Sequence, residues 1–361
     1  MHKTTIFLFV VLALASGCSN NKKSSEKSAE TADTTVTESK FLNEPLVEHI
    51  FTADPSAHVF EGKIFIFPSH DIDAGIPDND LGDQYAMRDY HVFSMEQPGG
   101  EVTDHGEVLS VDEIPWAGRQ LWAPDAAHAN GKYYLYFPMK DKNDVFKIGV
   151  AVSDNPEGPF TPEPEPIAGS FSMDPAVFED EDGSYYMYFG GIWGGQLQRW
   201  NGGEYAPDGE EPAADQPALN PQIAKMDDDM LSFAETPKDV QILDENGDPL
   251  LAGDNERRFF EAAWVHKYNG TYYFSYSTGD THKIVYATSD NPYGPFTYQG
   301  VILKPVQGWT NHHSIVEFNG KWYLFYHDTQ LSGKNHLRNI KMTELTHNAD
   351  GSIQTIDPMN N

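Results

Sequence analysis

The chain has 361 residues, of which 55 are Asp or Glu and 24 are Lys or Arg, for a formal net charge of −31 at pH 7. Such an excess of negative charge repels nucleic acid and anionic polymers and leaves neutral partners open. The length suffices for one large domain with a substantial core, and the single cysteine excludes an intramolecular disulfide.

The N-terminus opens on Lys3, then an apolar run from Ile6 to Ala15, and closes on Leu14-Ala15-Ser16-Gly17-Cys18. The run is too short to span a membrane as a stable helix. Its small-residue ending resembles the lipobox cut by bacterial lipoprotein signal peptidase. Residues 1–17 are expected to be the signal and Cys18 the lipidated first residue of the mature chain. Residues 18–40, rich in Ser, Thr, Lys and Glu, read as a disordered tether. The expected location is the cell envelope, on an outer-membrane lipid anchor. Lys22-Lys23 differs from the acidic run expected of a surface-export signal, so the membrane face stays open.

From residue 41 onward one phrase recurs, a polar turn ending in Gly that runs into an aromatic strand. It appears as Glu61-Gly62-Lys63-Ile64-Phe65, Asn130-Gly131-Lys132-Tyr133-Tyr134, Asp182-Gly183-Ser184-Tyr185-Tyr186, Asn269-Gly270-Thr271-Tyr272-Tyr273 and Asn319-Gly320-Lys321-Trp322-Tyr323. Asn-Gly and Asp-Gly supply the positive φ angles of tight hairpin turns, and the residues after them favour a pleated strand. The five glycines are spaced by 69, 52, 87 and 50 residues with few helix-period segments between them. This predicts an all-β, five-bladed β-propeller over 41–361. Lys147–Thr161 and Lys283–Thr297 share a Ser-Asp-Asn-Pro turn and a Gly-Pro-Phe element, which mark blade architecture. The stretch near 200–256, dominated by Gly, Pro, Asp and Glu, reads as a long surface insertion beside the cleft.

The innermost strand of a propeller blade begins near the axis, so acidic residues just ahead of each phrase converge there. Asp54 precedes Gly62 by eight residues; Asp174 and Glu261 precede Gly183 and Gly270 by nine. Two of the three sit in Asp-Pro pairs and Glu261 lies inside the apolar run Phe259–Trp264, neither of which suits a solvated face. Asp125, in Leu121-Trp122-Ala123-Pro124-Asp125, competes for the third place. No phosphate-binding loop, Ser-His-Asp order or Cys-His zinc spacing stands out, and His91, His266 and His282 read as strand or loop residues rather than catalysts.

These acidic motifs, the Trp122-Ala123-Pro124 element and Asn311-His312-His313-Ser314 together resemble the signature of family 43 glycoside hydrolases over roughly residues 45–345. His70-Asp71-Ile72-Asp73 and Asp89-Tyr90-His91-Val92-Phe93-Ser94 resemble the branch of β-xylosidases and α-L-arabinofuranosidases. The resemblance implies Asp54 as general base, Glu261 as general acid and Asp174 as the residue that orients and tunes the acid. It implies inversion at the anomeric carbon, Trp122, Asp125 and Arg338 as substrate contacts, and His312 beside a calcium ion at the axis, with no organic cofactor. A structural role stays open for Trp122 and for His312, and Asp125 either binds a hydroxyl or anchors its loop. Inverting chemistry needs one ionised carboxylate and one protonated acid about 6.5–9.5 Å apart. Phe259, Phe260 and Trp264 are expected to desolvate Glu261, an ionised Asp174 to raise its pKa further, and Asp54 to stay ionised. The expected function is exo-acting release of a terminal pentose from plant or algal polysaccharide fragments, with the insertion walling off one end of the cleft. Galactosidase or endo-arabinanase specificity, or a lipid-anchored propeller that binds saccharide without cleaving it, are the alternatives.

Overall fold

The computed structural model describes residues 39–360 apart from residue 280, so the signal, Cys18 and nearly all of the expected tether lie outside the described residues. Five sheets, antiparallel apart from one edge pairing in blade four, follow one another along the chain as the blades of a five-bladed β-propeller. Blade one comprises Phe51–Phe60, Lys63–Asp71, Asp89–Met95 and Thr103–Ser110. Blade two is built from Asp125–Ala129, Lys132–Asp141, Phe146–Ser153 and Thr161–Pro162, with Ala117–Arg119 added along its second strand. Blade four contains Phe259–Tyr268, Thr271–Thr278, Ile284–Ser289 and Phe296–Leu303.

Four of the five recurrent turns have positive φ at both central residues, for example Asn130 (54°) with Gly131 (71°) and Asn319 (52°) with Gly320 (79°). That is the geometry whose twist matches the flanking strands. The third differs. The amide of Asp180 bonds the carbonyl of Ser184, and Gly183 alone has positive φ, so Glu181-Asp182-Gly183 form a three-residue loop with a bulge.

The expected insertion is partly blade. Within 200–256, Gln222–Lys225 and Lys238–Asp239 are the outer strands of blade three, beside Ala176–Glu179 and Tyr185–Phe189. Ile242–Leu243 pairs parallel to Phe296–Leu303 at the edge of blade four. Short strands interrupted by Asp, Gly and Pro carry too little period-2 pattern to be seen against the loops around them.

Blade five has three strands, His313–Phe318, Lys321–Asp328 and Asn339–Leu345. The N-terminal segment closes the ring on it: the Leu46 amide bonds the Ile340 carbonyl at 2.9 Å and the Thr52 amide bonds that of Arg338 at 3.0 Å. The apolar core lies between blades. Phe67, Tyr90, Leu135 and Phe137 pack blade one on two; Tyr188, Phe189, Phe259 and Phe274 pack three on four. Ile64, Phe93, Phe325 and Ile340 pack five on one, and these interlocked layers hold the first strands at fixed positions around the axis.

Candidate active site

The first strands of blades one and four are kinked at Asp54 and Glu261, and Asp174 lies two residues ahead of the first strand of blade three, Ala176–Glu179. Asp54 and Asp174 have φ of 50° and 55°, and Ala262, after Glu261, has 63°. The ladder slips between Ala53 and Ser56 in blade one and on both sides of Glu261 in blade four. The proline after Asp54 has no amide hydrogen for the ladder, so the break costs no hydrogen bond there, and the one after Asp174 precedes the first ladder pair of its blade. Such bulges re-aim side chains, and here Asp54, Asp174 and Glu261 face one cavity of about 270 Å³.

Asp54 is enclosed by donors. Arg338 Nη1 donates to its Oδ1 at 2.8 Å, Ser69 Oγ donates to its Oδ2, and its own amide donates to His327 Nδ1 at 3.0 Å. The last bond leaves the His327 proton on Nε2, which faces the Thr310 carbonyl at 3.1 Å. Burial holds that imidazole down at about 3, with the Arg338 charge adding to the effect, so it is neutral. Burial also pushes the Asp54 carboxyl up, but the Arg338 cation, His327, His312 and Ser69 outweigh it and bring it to about 2. Arg338 is itself held by Asp71, which takes Nε and Nη2 at 2.8 Å each and the Arg338 amide at 2.8 Å. Its guanidinium lies 4.8 Å from the Tyr85 ring centre.

Glu261 has the opposite environment. Burial and the negative charge of Asp54 push it up to about 8, with Arg338 opposing. Of its apolar neighbours in sequence only Phe260 lines the cavity; Phe259 and Trp264 turn into the core, Trp264 Nε1 donating to the Ile315 carbonyl at 3.0 Å. The ionised group that raises Glu261 is Asp54 rather than Asp174. Asp174 is pushed upward too, by burial and then by the charges of Glu261 and Asp54. Its Oδ2 accepts the Ala262 amide at 2.8 Å, a bond that favours the ionised form and ties Asp174 to the bulge carrying Glu261. Burial thus drives both carboxyls toward the protonated form, and the Ala262 bond opposes this at Asp174.

His312 sits between the acids, Nδ1 at 3.7 Å from Asp54 Oδ1 and 3.8 Å from Asp174 Oδ2, and burial lowers it to about 4. His313 points the other way, its Nε2 2.6 Å from Ser275 Oγ. The pair does not converge on one site.

Two expected substrate contacts change character. Asp125 lies outside the cavity lining, its carboxylate taken by Ser56 Oγ, His58 Nε2 at 2.7 Å and the Val177 amide at 2.5 Å. It anchors blade two between its neighbours, with both carboxylate oxygens engaged by the protein. Trp122 does line the cavity but is 8% exposed; its Nε1 donates to the Tyr85 carbonyl at 2.7 Å and its ring packs 4.7 Å from Phe146. Gly82 presses on it so closely that a Cβ there would stand 2.7 Å from the indole. Arg338 lines the cavity as well, beside Asp54.

Sequence reasoning missed Asp71 and His327 as site residues and gave Tyr85, Trp193 and Trp309 no role. Trp193 lies in Gly190-Gly191-Ile192-Trp193-Gly194-Gly195, a glycine density that signals close approach; the others carry no local mark. The wall expected from 200–256 comes instead from residues 78–87, Ile192–Gly195, Trp309 and Asn335. The insertion contributes from behind, Glu211 Oε1 accepting Trp193 Nε1 at 2.5 Å. Trp309, stacked on Trp193 with ring centres 6.2 Å apart and 37% exposed, is the aromatic surface of the cavity most open to solvent.

The sequence profile of Glycosyl hydrolases family 43 matches residues 101–353. The chain is 60% identical over 314 residues to a xylosidase/arabinosidase of Bacteroides ovatus, covering 86% of this chain and 97% of that one. It is 61% identical over 324 residues to xylosidase/arabinosidase 43A of Humicola insolens, covering 87% and 99%. Among solved structures, a β-xylosidase/α-arabinofuranosidase from a compost microbial metagenome, in complex with xylotriose and in a calcium-free form, superposes with a TM-score of 0.86 at 72% identity, over 88% of this chain and 97% of that one.

Proposed function

The chain belongs to glycosyl hydrolase family 43 and is a glycoside hydrolase, and we propose that it removes a terminal β-D-xylose or α-L-arabinofuranose from plant or algal oligosaccharides with inversion. The observation that carries this reading is the split between two carboxyls in one cavity, Asp54 at about 2 and Glu261 at about 8. At neutral pH the first is a base and the second an acid, the division of labour an inverting glycosidase requires. Asp54 takes a proton from water as its oxygen attacks the anomeric carbon; the glycosidic bond breaks, and Glu261 gives its proton to the departing oxygen. Exchange with solvent restores both groups. Asp174, through the Ala262 amide, fixes the orientation of Glu261, and Arg338 keeps Asp54 ionised within reach of sugar hydroxyls.

The cavity, about 270 Å³, sits just below the usual range of ligand sites, about 300 to 1,000 Å³, and is walled by residues 78–87 and 192–195. That supports exo action on a chain end over an endo cleft. The xylotriose complex of the 72%-identical structure and the xylosidase/arabinosidase names of the relatives support a pentose glycone.

A calcium ion fits at the axis through one protein ligand. The His312 imidazole is neutral, and neither ring nitrogen makes a hydrogen bond among the described residues. Calcium's preference for oxygen leaves the rest of the shell to water. When bound, the ion supplies positive charge beside Asp54 and Asp174. We also assign residues 1–17 as a lipoprotein signal and Cys18 as the lipidated residue of an envelope protein; Cys18→Ala should move the protein from the membrane to the soluble fraction.

The function is tested by following hydrolysis of xylotriose by proton NMR. Initial appearance of α-xylose, lost in Asp54→Asn, is expected. First appearance of β-xylose, or release of internal fragments, would refute inversion or exo action.

A further inference from the structure

We propose that His70, Asp89 and His91 form a binding site for a zinc-class divalent ion that clasps the neck of the cavity-lining loop. This site does not depend on the glycosidase reading and is distinct from the axial position of His312. One ligand atom from each residue lies within 4.8 Å of the others. His70 is the penultimate residue of Lys63–Asp71 and Asp89 the first of Asp89–Met95. Continuing the register from Ile66 opposite Phe93 sets His70 opposite Asp89. His70 Nδ1 and Asp89 Oδ1 are 2.6 Å apart, and His91, two residues along and on the same face as Asp89, presents its ring edge-on to His70 at 5.2 Å.

The surroundings are those of a metal-binding imidazole. His91 Nδ1 is 3.1 Å from Asp104 Oδ1, and Asp104 is fixed in turn by His49 Nε2 at 2.7 Å and the Gly106 amide at 2.7 Å. A carboxylate on one nitrogen sets the tautomer and frees the other, Nε2, as a ligand. Glu107, paired with His91 across the ladder, adds negative charge. Zinc bonds of about 2.0–2.1 Å in tetrahedral geometry require ligand atoms about 3.3 Å apart, which modest side-chain rotation supplies, because the three side chains are only half-buried. Two imidazoles and one carboxylate favour zinc or its neighbours over calcium, and a fourth position stays open to water.

The position gives the ion a consequence. The chain between His70 and Asp89 carries Asp78, Gly82, Tyr85 and Met87 to the cavity wall, and Asp71, next to His70, holds Arg338. An ion joining His70 to Asp89 and His91 closes the base of that loop.

The test uses the full-length protein stripped with EDTA and titrated with Zn²⁺ by calorimetry, with Co²⁺ absorption reporting coordination geometry. One equivalent is expected to bind, to raise the melting temperature and to give tetrahedral Co²⁺ bands. His91→Ala should abolish this binding, Asp104→Asn should weaken it about 10- to 100-fold, and His312→Ala should leave it intact. Each stripped variant is compared with stripped wild type by melting temperature, so that misfolding is not read as lost affinity. Absence of stoichiometric Zn²⁺ binding, or binding that survives His91→Ala with His70→Ala, overturns the proposal.

Discussion

Replacing Arg338 by Gln tests the electrostatic argument most directly. The guanidinium is buried between Asp54 and Asp71, with donors at 2.8 Å to each. Its positive charge is the largest influence holding the Asp54 carboxyl below its ordinary 3.8, at about 2; burial, the largest influence of all, acts the other way. That gap corresponds to about 2 kcal/mol at about 1.4 kcal/mol per pKa unit. In Arg338→Gln the largest lowering influence is removed while burial remains, so Asp54 moves up from about 2. The acid limb of kcat/KM should therefore climb by about 1–3 pH units. The substrate should be an aryl xyloside with a good leaving group, since its departure needs no proton and the acid limb then reports the base alone. Stability should fall by about 3–5 kcal/mol, because Asp71 and Asp54 are left as unpaired buried charges. Adding Asp71→Asn should restore part of that loss, which a double-mutant cycle measures. The sign is that of a depressed carboxylate: the stabilising contribution is full above about 4 and is lost as pH falls toward about 2. An acid limb unmoved in Arg338→Gln would refute the assignment of Asp54 as the base held ionised by Arg338.

Glu261→Ala should reduce hydrolysis of xylo-oligosaccharides by about 10²- to 10⁴-fold and of activated aryl glycosides far less; equal losses would remove Glu261 as the acid. Because Glu261 is raised to about 8, wild-type stability should decline as pH rises from about 4.5 through 8, and thermal melts of Glu261→Gln should show a shallower decline. Gly82→Ala should cost about 1–3 kcal/mol in denaturant melts, since its φ is +70° and the new methyl would stand 2.7 Å from Trp122. EDTA treatment of wild type should lower activity in a way that Ca²⁺ restores, while His312→Ala should show neither the loss nor the recovery; activity indifferent to both would exclude a calcium role at the axis.

The blades were legible because their signals are local. A Gly turn followed by Tyr133-Tyr134 or Trp322-Tyr323 specifies a hairpin whatever surrounds it, and the run of such turns implies the ring. The three acids were legible for a related reason: an offset of eight or nine residues from the turn glycine places Asp54, Asp174 and Glu261 at one level of three first strands. The outer strands within 200–256 were not, since strands of two to four residues carry no usable period.

Chemistry at the acids was decided by tertiary structure. Asp54 meets Arg338 and His327 across sequence separations of 284 and 273 residues, contacts that exist only once blade five closes on blade one. Asp125 and Asp174 sit at similar offsets from their turns, yet Ser56, His58 and Val177 consume one carboxylate while the other meets the Ala262 amide inside the cavity. Sequence by itself determined the five hairpins and set Asp54, Asp174 and Glu261 at one level ahead of them, because turn and strand preferences act over a few residues. Which of those carboxyls is ionised and which is protonated depends on burial and on charges a few ångströms away, and only the closed ring brings those together.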